Sequence, residues 1–201
     1  MDLFATKFFE ATLEPRFRKF LVDLGCTNVN YPTTGNWNNL MAAYNTNMAG
    51  YNIQNIIDTN GVASTISVNV VDNLIASQDP AYNVTVNNGL YPWTALRDAF
   101  NAPSGSTGTI ILAGVSANKQ YRLRCLSGRH TLTATTRMVI TVNIGGTEVV
   151  LLDKQISTKN NITNLFETAD FTVPGIDKIR ITITGVASTG YINVIELWEY
   201  I

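Results

Sequence analysis

The chain has 201 residues, 45% of them hydrophobic and only 14% charged, and a net charge of -1 from 14 basic and 15 acidic side chains. A length of this order suits one large all-β domain, or one domain with an arm, and argues against two full domains. The apolar content excludes intrinsic disorder, and the absence of a basic excess excludes a protein that works by neutralising nucleic-acid phosphates.

Twenty-two Asn and 25 Thr take polar positions that Lys and Glu usually hold. No run of 18 apolar residues occurs, and Asp2, Lys7, Glu10, Glu14, Arg16, Arg18 and Lys19 interrupt the first thirty residues. Neither a membrane span nor a signal peptide is read from that pattern. His130 is the single imidazole, and Cys26 and Cys125 lack any metal-ligand spacing, so a zinc site is excluded and two buried free thiols are expected.

In chain order, Phe4, Phe8 and Phe9 form a first apolar cluster. Phe17, Phe20, Leu21 and Leu24 then recur at i, i+3, i+4 and i+7, with Pro15 suited to a first turn and Gly25 to a stop. That spacing predicts a short α-helix. Residues 1–35 accordingly read as an N-terminal helical arm with a linker, and residues 36–201 as the main domain. An isolated helix of this length needs a surface to pack on, either its own domain or a neighbouring subunit. The seven residues Phe4, Phe8, Phe9, Phe17, Phe20, Leu21 and Leu24 are therefore candidate assembly contacts. Thr27 to Tyr51 reads mostly as loop, with a brief helical turn at Leu40, Met41 and Tyr44.

From Ser64 the period changes to two, as a half-buried strand requires. Ile66, Val68 and Val70 alternate with polar neighbours, as do Tyr121, Leu123 and Cys125. Met138 to Ile144 and Ile179 to Ile183 repeat the pattern. Gly145-Gly146 predicts a tight hairpin into Val149 to Leu152. Thr109 to Ala113, Asn83 to Val86, Asp170 to Val173 and Tyr191 to Ile201 are further strands. About eight short strands with one apolar face each predict two antiparallel sheets packed face to face, a jelly roll or related β-sandwich.

Five short strings stand in an order that resembles galactose-binding-like jelly-roll modules of the carbohydrate-binding type, over residues 36 to 201. They are Asn36-Trp37-Asn38-Asn39-Leu40, Asn55-Ile56-Ile57-Asp58-Thr59-Asn60-Gly61, Tyr91-Pro92-Trp93 with Asp98 after it, Leu112 to Tyr121 with Ser127-Gly128-Arg129, and Gly190 to Leu197. The resemblance implies the sandwich fold and a non-catalytic role. Modules of this kind are attached to secreted bacterial enzymes, and similar sandwiches serve on bacteriophage virions.

Sugar recognition needs flat apolar rings with amides, Arg and Asp beside them. Trp37, Tyr91 and Trp93, with Arg97, Asp98, Arg129 and His130, have that composition in what reads as end loops. The competing reading makes Trp37 and Trp93 plugs over the core, and Trp198 on the closing strand a packing residue. His130 with Ser127 and Asp98 is the single triad-like set, without a nucleophile elbow. Glu196 and Glu199 fall on opposite faces of one strand and so cannot serve as a glycosidase pair. Catalysis is not expected, and no cofactor is implied; a structural calcium would draw on Asp58, Asn60, Asp72 and Asp79.

The first expectation is therefore a structural or adhesive virion protein, made in a host cytoplasm and assembling with itself or other structural proteins through its arm. The alternative is a glycan-binding module, extracellular or at a bacterial cell surface if an export signal precedes the chain. A small hydrolase comes third.

Overall fold

The computed structural model describes residues 16–27, 33–78, 90–129, 134–159, 164–172, 175 and 178–201. In chain order these form β1 (Phe17–Cys26), β2 (Asn38–Ala42), β3 (Asn52–Ile53), β4 (Ser67–Asp72) and β5 (Ile75–Gln78). A short helix, α1 (Trp93–Arg97), runs straight into β6 (Asp98–Ala102), followed by β7 (Thr107–Ala113), β8 (Gln120–Leu126), β9 (Thr135–Ile144) and β10 (Thr147–Ser157). The chain continues through β11 (Leu165–Glu167), β12 (Phe171–Thr172), β13 (Lys178–Gly185), β14 (Gly190–Ile192) and β15 (Val194–Tyr200).

Two six-stranded sheets make the sandwich. The first has the order β11-β8-β15-β1-β2, with β12 also on β8, and the second the order β10-β9-β13-β7-β4-β3. A small third sheet, β14-β6-β5, sits at one end. Among the described residues the named strands pair antiparallel except β1 with β2, which is parallel. The inner faces of the two large sheets interdigitate. Phe20, Leu24, Tyr121, Leu123 and Leu197 from the first meet Val68, Ile110, Leu112, Ile140 and Ile181 from the second in one continuous core. Alternation of apolar and polar residues is what allows each sheet to bury one face and wet the other.

The expected N-terminal helix is a strand. Residues 17–26 pair with β15 on one side and β2 on the other, so β1 is an interior strand of the first sheet. The residues fit both periods, and tertiary pairing decides between them. Phe20, Val22, Leu24 and Cys26 alternate inward and are fully or almost fully buried. A helix would have left Val22 and Cys26 off the apolar stripe. Phe17 and Leu21, which the helical reading placed beside Phe20 and Leu24, lie on the opposite face. Phe20, Leu21 and Leu24 are thus contacts within the chain's own sandwich and not an assembly surface; Phe4, Phe8 and Phe9 lie outside the described residues. Leu40 and Met41 likewise belong to strand β2 and not to a helical turn.

The hairpin at Gly145-Gly146 has positive φ at both positions (56° and 90°) and joins β9 to β10 as the turn residues predict. Gly114, after β7, also has positive φ (75°), and a Cβ built there would run into the carbonyl oxygen of Thr65. Gly114→Ala is expected to lower unfolding stability by about 1 to 3 kcal/mol in urea titration. Cys26 and Cys125 are free and buried.

Candidate functional site

The outer face of the first sheet divides into a covered half and an open half. Register places Lys19, Trp198 and Arg122 in one row across β1, β15 and β8, and Leu21, Glu196 and Arg124 in the next. Beyond them, Leu21, Val194, Leu126 and Leu165 are covered by Trp37, Tyr91, Ala95 and Leu96. The loop before β2 and helix α1 therefore form a cap on one half of the face.

The other half is open. Phe17 is 47% exposed, and Trp198 and Tyr200 are partly exposed. Phe17 stacks on Trp198 with centroids 5.4 Å apart and 16° between planes, and meets Tyr200 edge-on at 6.4 Å. Arg124, Arg122 and Lys19 place their cationic ends 4.4, 5.4 and 5.7 Å from the Trp198 ring centroid. Each cation also has a carboxylate. Lys19 Nζ is 2.7 Å from Glu196, Arg122 Nε 2.5 Å from Asp170, and Arg124 Nε 2.8 Å from Glu167. Three positive and three negative groups thus leave the face without net charge.

Glu196 joins the two halves. Its carboxylate accepts hydrogen bonds from the Tyr91 hydroxyl at 2.5 Å and from Trp198 Nε1 at 2.6 Å, besides its ion pair with Lys19. Burial pushes this carboxyl upward, but the hydrogen bonds from Lys19 and Tyr91 outweigh it and hold Glu196 below its ordinary range. Glu199 points the other way. It accepts from Tyr121 Oη at 3.1 Å and lies 3.8 Å from Arg18, so the two carboxylates do lie on opposite faces.

The residues expected to bind ligand are only partly brought together. Trp37 and Tyr91 meet edge-on at 6.2 Å, but Tyr91 is buried with its hydroxyl on Glu196 and Trp37 packs into the cap. Trp93 and Arg97 lie on α1 and not in a loop, and Asp98 opens β6. Asp98 and Arg129 are buried, with Arg129 on the Ser77 hydroxyl and over the Tyr191 ring at 4.4 Å. These groups brace the end of the sandwich and do not form an open platform. His130 lies outside the described residues. Ser127 is buried with its hydroxyl donating to Thr136 at 2.9 Å.

Of the calcium donors, Asp58 is taken by Arg18 Nε at 2.9 Å and by the amides of Asn60 and Val62. The same guanidinium donates to the carbonyls of Val62 and Ala63, so a fixed cation already occupies that loop. Asp79 lies outside the described residues.

A second electrostatic centre lies beneath the cap. Asp23 on β1 accepts a hydrogen bond from the Thr33 hydroxyl at 2.6 Å, and Thr33 is 2.8 Å from Thr94 on α1. Burial raises Asp23 to about 7, with the charge of Asp98 adding to it and the Thr33 hydrogen bonds opposing it. Burial likewise raises Asp98 to about 6, against the backbone amide of Cys26 and the charges of Arg97 and Arg129.

No protein-family profile matches the chain, and no curated protein does. Among solved structures it is similar in fold to the CBM22-1 and GH10 modules of the Clostridium thermocellum endo-1,4-beta-D-xylanase 10B, with 12% identity over 63% of this chain and a TM-score of 0.40. The chain spans 24% of that protein. It is also similar to TmCBM61 in complex with beta-1,4-galactotriose, with 18% identity over 67% of this chain and 88% of the other, TM-score 0.38. A third is the family 32 module of C. perfringens NanJ in complex with galactose, with 17% identity over 63% and 94% and the same TM-score. The sugars in those complexes are the ligands of those proteins.

Proposed function

We propose that the chain is a non-catalytic carbohydrate-binding module that takes an uncharged glycan on the open half of the first sheet, across Phe17, Trp198 and Tyr200. The observation that carries this reading is the contiguous, partly exposed set of three rings inside a charge-balanced frame. The C–H face of a pyranose packs on aromatic surface, while its hydroxyls take hydrogen bonds from Arg and Lys and give them to carboxylates. Arg122, Arg124 and Lys19 supply the donors here, and Glu167 and Asp170 the acceptors. With no net charge on the face, a polyanionic glycan gains nothing over a neutral one. The end set of Trp37, Tyr91, Asp98 and Arg129 is largely spent on internal contacts. Such a module would serve as an adhesive element on a virion or on a secreted protein alike.

An array of neutral and acidic oligosaccharides tests the proposal. Trp198→Ala is expected to weaken the best neutral ligand at least about tenfold, which corresponds to about 1.4 kcal/mol, in a chain that stays folded although it loses the hydrogen bond to Glu196 and the stack on Phe17. Trp37→Ala is expected to lower the urea midpoint and leave that affinity in place. Absence of any neutral ligand, or loss of binding in Trp37→Ala with none in Trp198→Ala, overturns the assignment of this face.

A further inference from the structure

The seat of the cap holds buried acceptors that have no hydrogen-bond partner among the described residues. Asp23 and Asp98 are 0% and 1% exposed, and one carboxylate oxygen of each, Oδ1, has no hydrogen-bond partner. The amide oxygens of Asn39 and Gln78 are buried and unpartnered as well. Asn39 is the register partner of Asp23, and Gln78 that of Asp98. Asp23 and Asn39 thus set two acceptors together with no donor between them among the described residues, whereas the Asp98 carboxylate has the charges of Arg97 and Arg129 beside it. An unmet buried acceptor is costly, and a proton on a carboxylate converts an acceptor into a donor. The backbone is close there too: a Cβ on Gly25 would sit 3.0 Å from the Asp98 Cβ.

We propose that Asp23 and Asp98 form a proton-controlled latch. Protonated, they hold residues 33–37 before β2 and helix α1 down on β1; ionised, they set two buried negative charges under the cap, of which Arg97 and Arg129 offset only that of Asp98, and loosen it. Because Tyr91 in the cap fixes Glu196, and Glu196 fixes Trp198, the latch also regulates the aromatic face. That last step rests on the glycan reading, and the first does not.

The groups facing the pair are Thr33 and Thr94 from the cap, Arg97 at the end of α1, Arg129 after β8, Asn39 from β2, Gln78 from β5 and Cys26 at the end of β1, with Val194 opposite Asp23 on β15. Arg97 and Arg129 moderate Asp98. Both acids keep their protons in the folded chain at pH values where the unfolded chain, at the ordinary 3.8, has lost them. Stability is then expected to fall as pH rises from about 4 to about 7, and to level off above that.

The test is urea unfolding and acrylamide quenching of tryptophan fluorescence in the full chain between about pH 4.5 and 8.5. The wild-type midpoint is expected to drop and quenching to rise across that range. Asp23→Asn flattens the upper part of the curve, Asp98→Asn the lower part, and the double variant nearly all of it. If the double variant does not fold, the two single variants decide. The ordinary titration range of a histidine overlaps this window, so His130→Gln is the control and is expected to leave the curve in place. A flat wild-type curve, or a curve unchanged in both Asn variants, overturns the latch, as does one abolished by His130→Gln. Affinity for a neutral oligosaccharide is expected to fall at least threefold, about 0.65 kcal/mol, over the same range. A falling urea midpoint with no glycan bound at any pH removes the glycan reading and leaves the latch; glycan binding with flat pH curves does the reverse.

Discussion

Phe20→Ala is expected to cost about 3 to 5 kcal/mol of unfolding free energy, the range for removing a fully buried aromatic side chain from a packed core. Phe20 is 0% exposed and reaches the central layer from an interior strand, so the space it leaves is walled by both sheets and does not collapse easily. Phe17→Ala, three residues earlier, is expected to cost less than about 1 kcal/mol, because nearly half of that ring already faces water and its partners are the surface rings of Trp198 and Tyr200. The contrast separates the two conformations of this segment. In a helix, positions three apart share a face and the two substitutions would have similar effects. In strand β1 they point to opposite faces, one to the core and one to the aromatic platform. Urea unfolding of both variants reads the difference directly, and of the two only Phe17→Ala is expected to weaken glycan binding with little loss of stability.

The segment that misled the sequence reading explains what was legible and what was not. Where polar residues fill alternate positions, as in Tyr121 to Cys125 or Ile179 to Ile183, the period of two is unmistakable, and strands β8 and β13 lie where that pattern puts them. In Phe17 to Cys26 the outward positions other than Lys19 are apolar or buried: Phe17 and Leu21 are apolar, Leu21 lies under the cap, and Asp23 lies beneath α1. A strand covered on both faces loses its alternation, and the residual pattern happens to match a helical stripe. Strand β2 is hidden for a related reason: it is a short edge strand that joins β1 in parallel, which no local hairpin signal announces. The aromatic platform was missed because it is assembled from β1 and β15, at opposite ends of the chain. Trp198 read as packing since strand residues usually are, and only the register, which sets Lys19 and Arg122 on either side of it, shows the ring on the open face. The loop aromatics were legible as a group, but not that Tyr91 would spend its hydroxyl on a carboxylate 105 residues away.

That same carboxylate is where a second large effect is expected. Glu196→Ala removes the acceptor for Tyr91 and Trp198 and the partner of Lys19 in one step. Lys19 is partly exposed and recovers water, while the Tyr91 hydroxyl is buried and does not. Hydrogen bonds to charged groups are worth about 1.5 to 3 kcal/mol each, so with solvent recovering part of the Lys19 contribution a net loss of about 2 to 3 kcal/mol is expected. Glu196→Gln keeps one acceptor oxygen and is expected to lose roughly half as much. The pH dependence has a definite sign. Glu196 lies below its ordinary value in the folded chain, so its contribution is present above the unfolded carboxyl range and is lost as pH falls through the folded value. Wild type therefore loses stability on the acid side through Glu196 and on the neutral side through Asp23 and Asp98, which places its most stable pH in the mildly acidic range between them. Glu196→Ala is expected to remove part of the acid limb and leave the neutral limb unchanged, as measured by urea midpoints across the pH range. It is also expected to weaken glycan binding, since Trp198 loses the hydrogen bond that sets its ring plane. A variant that lost stability but bound glycan as wild type does would show that the orientation of Trp198 is set by Phe17 and Arg124 alone.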